Sequence, residues 1–230
     1  MRLPDDAIFK LMHLQVLTAA DFVPEGACED SYLVATPATE ELSTLRAAVA
    51  EAGPCWGMNI LLPGFYHPAI GGPKDSGFVC ERWRKWLETS DVAGDEDIFV
   101  VPPTDTQVGR INGLPGTRTE MEMLWDFLME KKVTTVLLVD IPYHLLRAYL
   151  TAMAVRLERR EQNPAADIKI FCLAGAPLDW MEPATHSQGN TEPRCAWPLL
   201  EISKIMDCVY DGFLPDPAKV LDQFLADRKK

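Results

Sequence analysis

Thr135-Val-Leu-Leu-Val139-Asp140-Ile141-Pro142-Tyr143-His144-Leu-Leu-Arg147 is the stretch from which the rest of the chain can be read. Val136 to Val139 are apolar without alternation, the pattern of a strand covered on both faces rather than one lying at a surface. Pro142 then opens a helix, because it lacks an N–H and its fixed φ suits the first helical position. Leu146, Tyr149, Leu150, Met153, Ala154 and Leu157 follow at helical spacing, and Arg156, Arg159 and Arg160 lie where cations favour the helix C-terminus. A buried strand running into a helix is half of a parallel β/α unit.

Working outward, four more apolar runs read as strands: Ser31 to Thr36, Met58 to Leu62, Asp97 to Val101 and Ile168 to Leu173, the last nearer an edge because it holds Lys169. Helical patterns separate them. Leu42, Leu45 and Val49 lie on one face between Thr39 and Ala52, Val79, Trp83, Trp86 and Leu87 between about Gly77 and Thr89, and Met121, Leu124, Phe127 and Leu128 after Thr117. Two later patterns, Leu199, Ile202, Met206 and Val209, then Val220, Leu221 and Phe224 behind Asp216-Pro217, predict C-terminal helices, the first packing its stripe into the core.

Strands alternating with helices imply right-handed crossovers. The expected fold class is therefore α/β: a doubly wound, mostly parallel five-stranded sheet with helices on both faces and a helical C-terminal tail. We expect one domain over 1–230, with an N-terminal helix at about 5–20, a sheet core at about 31–175 and a loop and helical tail at about 176–230. His13, in the apolar N-terminal pattern, reads as a partly buried structural residue.

The formal charge of −12 opposes duplex nucleic acid and anionic membranes as partners. Every apolar run is broken by charge or proline well short of the roughly 20 residues that span a bilayer. Asp5 and Asp6 stand where an export signal would be basic. The six cysteines form no CxxC pair and read as small buried hydrophobes in a reducing compartment, so a cytoplasmic location is expected.

Parallel sheets bind ligands outside the carboxyl ends of their strands, where strand order reverses. The loops after Thr36, Leu62, Val101, Val139 and Leu173 are thus the candidate rim, joined by the long segments Pro63 to Ser76, Pro102 to Gly116 and Ala176 to Cys195. His144 and Arg147 share a face in a first helical turn. Backbone N–H groups, the helix dipole and a guanidinium together outline an anion site. The plainer alternative is that His144 caps a carbonyl and Arg147 pairs with Asp140. Asp140 is placed to hold a ribose hydroxyl or a cation. Thr117 with Glu120, and Thr119 with Glu122, each fit a capping box, while Glu122 facing the site would be a general base beside His144. His67 and His186 lack metal-ligand spacing with any partner, and no GxSxG marks a serine nucleophile.

Gly116-Thr-Arg118-Thr119-Glu-Met-Glu122, Val136-Leu-Leu-Val139 and Tyr143-His144-Leu-Leu-Arg147-Ala148 resemble the YdcF/SanA/ElyC family of bacterial proteins, nearest to its soluble YdcF type. In that pattern a Thr-containing loop opens a helix and a strand ends in Tyr-His with Arg three residues on. Arg46 stands where the family carries an early arginine. The resemblance implies a Rossmann-like fold and a small-molecule site for a nucleotide-like ligand, with S-adenosylmethionine a candidate. With the residue reading above, the candidate ligand-binding positions are Arg147, Tyr143, Thr119, Arg118, Thr36, Gly64 and Arg46, and the candidate catalytic ones are His144, Glu122 and Asp140. Ala35-Thr36-Pro37 and Leu62-Pro63-Gly64 replace the family's Gly-rich strand ends, and Arg118 replaces an Asn, so a remodelled rim is expected. The expected function is a small-molecule-binding protein or an enzyme using such a ligand. The alternatives are a phosphoryl- or glycosyl-directed hydrolase or transferase, and a non-catalytic interaction module.

Overall fold

The computed structural model describes residues 5–21, 31–35, 59–63, 84–85, 88–89, 98–101, 117–164, 167–174, 179–185 and 191–229. Five short parallel strands, β1 (Ser31–Ala35), β2 (Asn59–Pro63), β3 (Ile98–Val101), β4 (Thr135–Val139) and β5 (Lys169–Leu173), pair in the order β3-β2-β1-β4-β5. Each is one of the apolar runs. Ile60, Leu61 and Leu62, and Val136 to Val139, are buried in succession, as their lack of alternation requires. β1 and β4 lie side by side, Ser31 opposite Thr135 and Ala35 opposite Val139, so the strand order reverses between them.

Helices α1 (Asp5–Ala19), α2 (Thr117–Glu130), α3 (Pro142–Gln162), α4 (Trp197–Tyr210) and α5 (Pro217–Asp227) accompany them, with a 3-10 turn (Arg194–Ala196) and a second sheet, β6 (Pro183–Thr185) antiparallel to β7 (Thr191–Pro193). α3 is the centre of the packing. It touches α1, α2, α4, β4 and β5, and from Tyr143 to Arg156 all but Arg147 is buried. Phe127 of α2 packs between Tyr32 of β1 and Phe99 of β3, ring centroids 6.0 and 5.6 Å away, which seats α2 over the β1–β3 side of the sheet.

These facts correct the expected architecture in three respects. First, a Rossmann-like doubly wound sheet carries helices on both faces, but among the described residues α1, α3 and α2 pack side by side as one layer, and the joining segments 36–58 and, apart from residues 84, 85, 88 and 89, 64–97 lie outside the described residues. Second, the five-stranded parallel sheet is not the only sheet among the described residues. The long segment read as an insertion after Ala176 holds the separate antiparallel pair β6–β7, whose three-residue strands are too short to show a period in sequence. Third, the C-terminal helices are no appended tail, since Ile205, Leu214, Val220 and Phe224 belong to the same buried cluster as Leu138 and Leu146.

Four smaller readings also change or fall outside. In α4, Leu199 is exposed while Met206 and Val209 pack half-buried against the core, and the fully buried residues are Trp197, Glu201 and Ile205, which a ring stack and an ion pair tie to α3. His13 is exposed, as are Phe9, Met12 and Val16, while α1 buries Ala7, Leu11, Leu14 and Thr18. Cys172 is buried, but Cys208 is half-buried and Cys195 exposed; all three are free thiols. The helix expected at Thr39 to Ala52 lies outside the described residues, and of the one expected from Gly77, residues 84, 85, 88 and 89 are helical. Among the described residues no helix is long and apolar enough to cross a membrane.

Buried charge ties the C-terminal helix to the rest. Arg156 of α3 is fully buried and is held by Asp227 (Nη1 to Oδ2, 2.5 Å) and Asp167 (2.8 Å). Asp216 caps α5 by accepting from the Ala218 N–H at 2.8 Å, with Pro217 at the first position as its sequence predicts.

Candidate functional site

The carboxyl end of β4 delivers Asp140 directly to the start of α3. Ile141, extended at φ −63° and ψ 144°, caps that helix without a side-chain bond. Asp140 takes over part of the task, its Oδ1 accepting the Ile141 N–H at 2.7 Å. A carboxylate there also faces the positive end of the helix dipole. Its other oxygen lies 2.5 Å from His144 Nδ1, and both side chains are buried. Since a carboxylate only accepts, Nδ1 carries the proton. The imidazole is then fixed in the tautomer whose Nε2 has a lone pair to offer, the orientation a general base needs.

Arg147 turns elsewhere. Its Nε donates to Glu201 of α4 at 2.5 Å and its Nη1 to Thr117 at the head of α2 at 3.3 Å; Glu201 is buried and also receives Lys204 Nζ at 3.2 Å. The guanidinium therefore links three helices. His144 and Arg147, expected to grip one anion together, are each engaged by a separate carboxylate, and the Arg147–Asp140 pair also considered does not appear among their bonds. Tyr143 is buried against Trp197, rings stacked at 28° with centroids 6.2 Å apart, and with Ile141 they close the α4 side of this turn.

Glu120 was missed as a site residue and read only as a helix cap. It lies one turn after Thr117 on the same face of α2, so the Thr117–Arg147 contact brings it to the α3 turn. Burial, reinforced by the negative charge of Asp140 and opposed by Arg147, pushes its carboxyl up to about 7. The i, i+3 spacing from Thr117 was the available signal; the neighbours that perturb Glu120 are not sequence neighbours.

Glu122 belongs to another surface. It accepts from Arg118 Nε at 2.9 Å and lines, with Val155, Glu158, Arg159 and Gln162, a groove of about 250 Å³ between α2 and α3. Arg118 also pairs with Glu158. Thr119 is buried as the third residue of α2, inside the helix rather than capping it. Thr36, Gly64 and Arg46 lie outside the described residues. Of the positions expected to share a site, then, Asp140, Tyr143, His144 and Arg147 come together on one turn, and Arg118 and Glu122 do not join them. Among the described residues no three His, Cys, Asp or Glu side chains converge as a metal ion would require.

What the fold and site define is a parallel-sheet protein with a carboxylate-oriented histidine at the carboxyl edge of a central strand. No family model matches the chain, no curated protein matches it, and no solved structure matches it.

Proposed function

We propose that the chain binds a small polar molecule at the carboxyl edge of its parallel sheet, beside the junction of β4 and α3, and that His144 moves a proton there. One observation carries the reading: the Asp140–His144 pair, 2.5 Å between Oδ2 and Nδ1, lies at the end of β4 next to β1, where the strand order reverses. Asp140 orients the ring and compensates an imidazolium as it forms, and Nε2 takes or gives the proton. The resemblance to the YdcF/SanA/ElyC family supports a nucleotide-like ligand, with S-adenosylmethionine a candidate. The acidic composition and the free thiols support a cytoplasmic protein without a nucleic-acid partner.

The test is a thermal-shift screen of S-adenosylmethionine, nucleotides and sugar phosphates on the wild-type chain and on His144→Gln. A ligand that raises the wild-type Tm and does so less in the variant supports the reading. Wild-type shifts absent across all three classes would overturn it.

A second reading, a phosphoryl- or glycosyl-directed hydrolase or transferase, is favoured by Glu120. A carboxyl raised to about 7 by burial and by the charge of Asp140, the residue that orients His144, supplies a general acid to match the base. Hydrolysis of p-nitrophenyl phosphates or glycosides that vanishes in Glu120→Gln with the fold intact would select this reading, and turnover unchanged in that variant would remove it.

A further inference from the structure

Asp140, placed by its sequence position to hold a ribose hydroxyl or a cation, is closed to any ligand. Its side chain is 2% exposed, Oδ1 accepts the Ile141 N–H at 2.7 Å, and Oδ2 takes His144 Nδ1 at 2.5 Å. What the carboxylate could offer a ligand directly it offers to the imidazole instead. The two ring nitrogens look in nearly opposite directions, so with Nδ1 on Asp140 the lone pair of Nε2 looks away from the carboxylate. Nε2 has no hydrogen-bond partner among the described residues, although the side chain that carries it is 5% exposed. Nor is this nitrogen sealed from solvent, as the unpaired Trp125 Nε1 and Tyr149 hydroxyl are. A nearly buried acceptor without a donor is destabilising, and a ligand that donates to it removes that cost.

The charges around the ring decide what kind of donor fits. Arg147, on the same turn, is committed to Glu201 and Thr117, and Glu201 holds Lys204 as well. Asp140 keeps its negative charge directly behind the imidazole. Glu120 registers the outcome: burial first, then the charge of Asp140, raises its carboxyl to about 7 against the pull of Arg147. A further negative charge is therefore disfavoured at this turn. An anion brought to Nε2 meets the same resistance, whereas a neutral hydroxyl brings the proton that the lone pair lacks and no charge.

Taking this junction to be the binding site, as in the reading above, we propose that the ligand meets His144 through a ring hydroxyl of a sugar, the O–H donating to Nε2. The class of ligand is a free sugar or the ribose of a nucleoside, held by its hydroxyls and not by a phosphate. Asp140 then acts on the ligand only through the ring, fixing the tautomer that accepts.

The test is a proton–nitrogen correlation of the imidazoles in the full-length wild-type chain at neutral pH, the His144 signal being the one that His144→Gln lacks. Adenosine, D-ribose, 2′,3′-dideoxyadenosine and inorganic phosphate are titrated in turn. Adenosine should move the Nε2 signal, and the dideoxy analogue should bind about tenfold more weakly for want of that hydrogen bond. Ribose moving the signal as adenosine does assigns recognition to the sugar alone; a response to adenosine without one to ribose makes the base part of the same contact. Equal binding of adenosine and its dideoxy analogue overturns the proposal. So does an Nε2 signal moved by phosphate and by neither hydroxyl compound, or moved by no probe. The underlying reading fails by a different measurement, the thermal-shift screen in which nothing raises the Tm. Hits in that screen with an unmoved Nε2 keep the junction as a binding site and remove the hydroxyl contact.

Discussion

Asp140 and His144 stand one helical turn apart and meet through Oδ2 and Nδ1 at 2.5 Å, with the carboxylate bonded at the same time to the Ile141 N–H. One side chain thereby joins the end of β4, the cap of α3 and an imidazole. Removing it should act on stability as well as on chemistry.

Asp140→Ala leaves a buried N–H and a buried ring nitrogen without their acceptor. The expected cost is about 2–4 kcal/mol, two hydrogen bonds to a charged group. Urea denaturation measures it. A loss under about 1 kcal/mol would mean the pair contributes no more than an exposed one.

Glu120 should make stability fall with rising pH. Its carboxyl titrates at about 7 in the folded chain against an ordinary 4.5, so between those values the unfolded state releases a proton that the folded state keeps. The contribution is complete below pH 4.5, is lost as pH rises, and is gone above 7. Glu120→Gln should be more stable than wild type at pH 8, by on the order of 3 kcal/mol at most, and flatter between pH 5 and 7. Equal pH slopes in the two chains would show that Glu120 titrates normally.

Arg156 is buried with Asp227. Arg156→Met alone strands a buried carboxylate and should cost about 3–5 kcal/mol. Combining it with Asp227→Leu removes both charges and should recover most of that loss, since apolar packing replaces an ion pair that was expensive to desolvate. A double-mutant cycle by chemical denaturation decides; no recovery would mean the pair is more than compensated in place.

The Tyr149 hydroxyl is buried with no hydrogen-bond partner among the described residues, and burial raises its pKa. Its ring packs edge-on against Phe224, centroids 5.7 Å apart. Tyr149→Phe keeps that ring contact and drops the unpaired polar atom, so it should be neutral or stabilising by about 1 kcal/mol. A clear drop in Tm would reveal a bond made by that hydroxyl.

Much of the local structure was legible. Val136 to Val139 announce β4 because a strand covered on both faces has no polar alternation, and Pro142 announces α3 because its missing N–H has no cost at a first helical position. These are properties of neighbours in the chain. The candidate site was legible only as a local cluster: Asp140, Tyr143, His144 and Arg147 lie together because they are adjacent in sequence. Glu122 meets the far half of α3 rather than its first turn, which a capping spacing does not reveal.

Partner choice was decided by the tertiary structure alone. Arg147 takes Glu201, 54 positions away, in preference to the nearby Asp140, and Arg228 takes Asp21, 207 positions away. The energy of a charge pair depends on distance through space and on how much water is excluded around it. Both are set only when α4 and α5 dock, and no local period in the chain encodes that docking. The chain by itself therefore determined where strands and helices begin and put Asp140 within reach of His144; which carboxylate holds Arg147 and which one holds Arg228 were settled by packing.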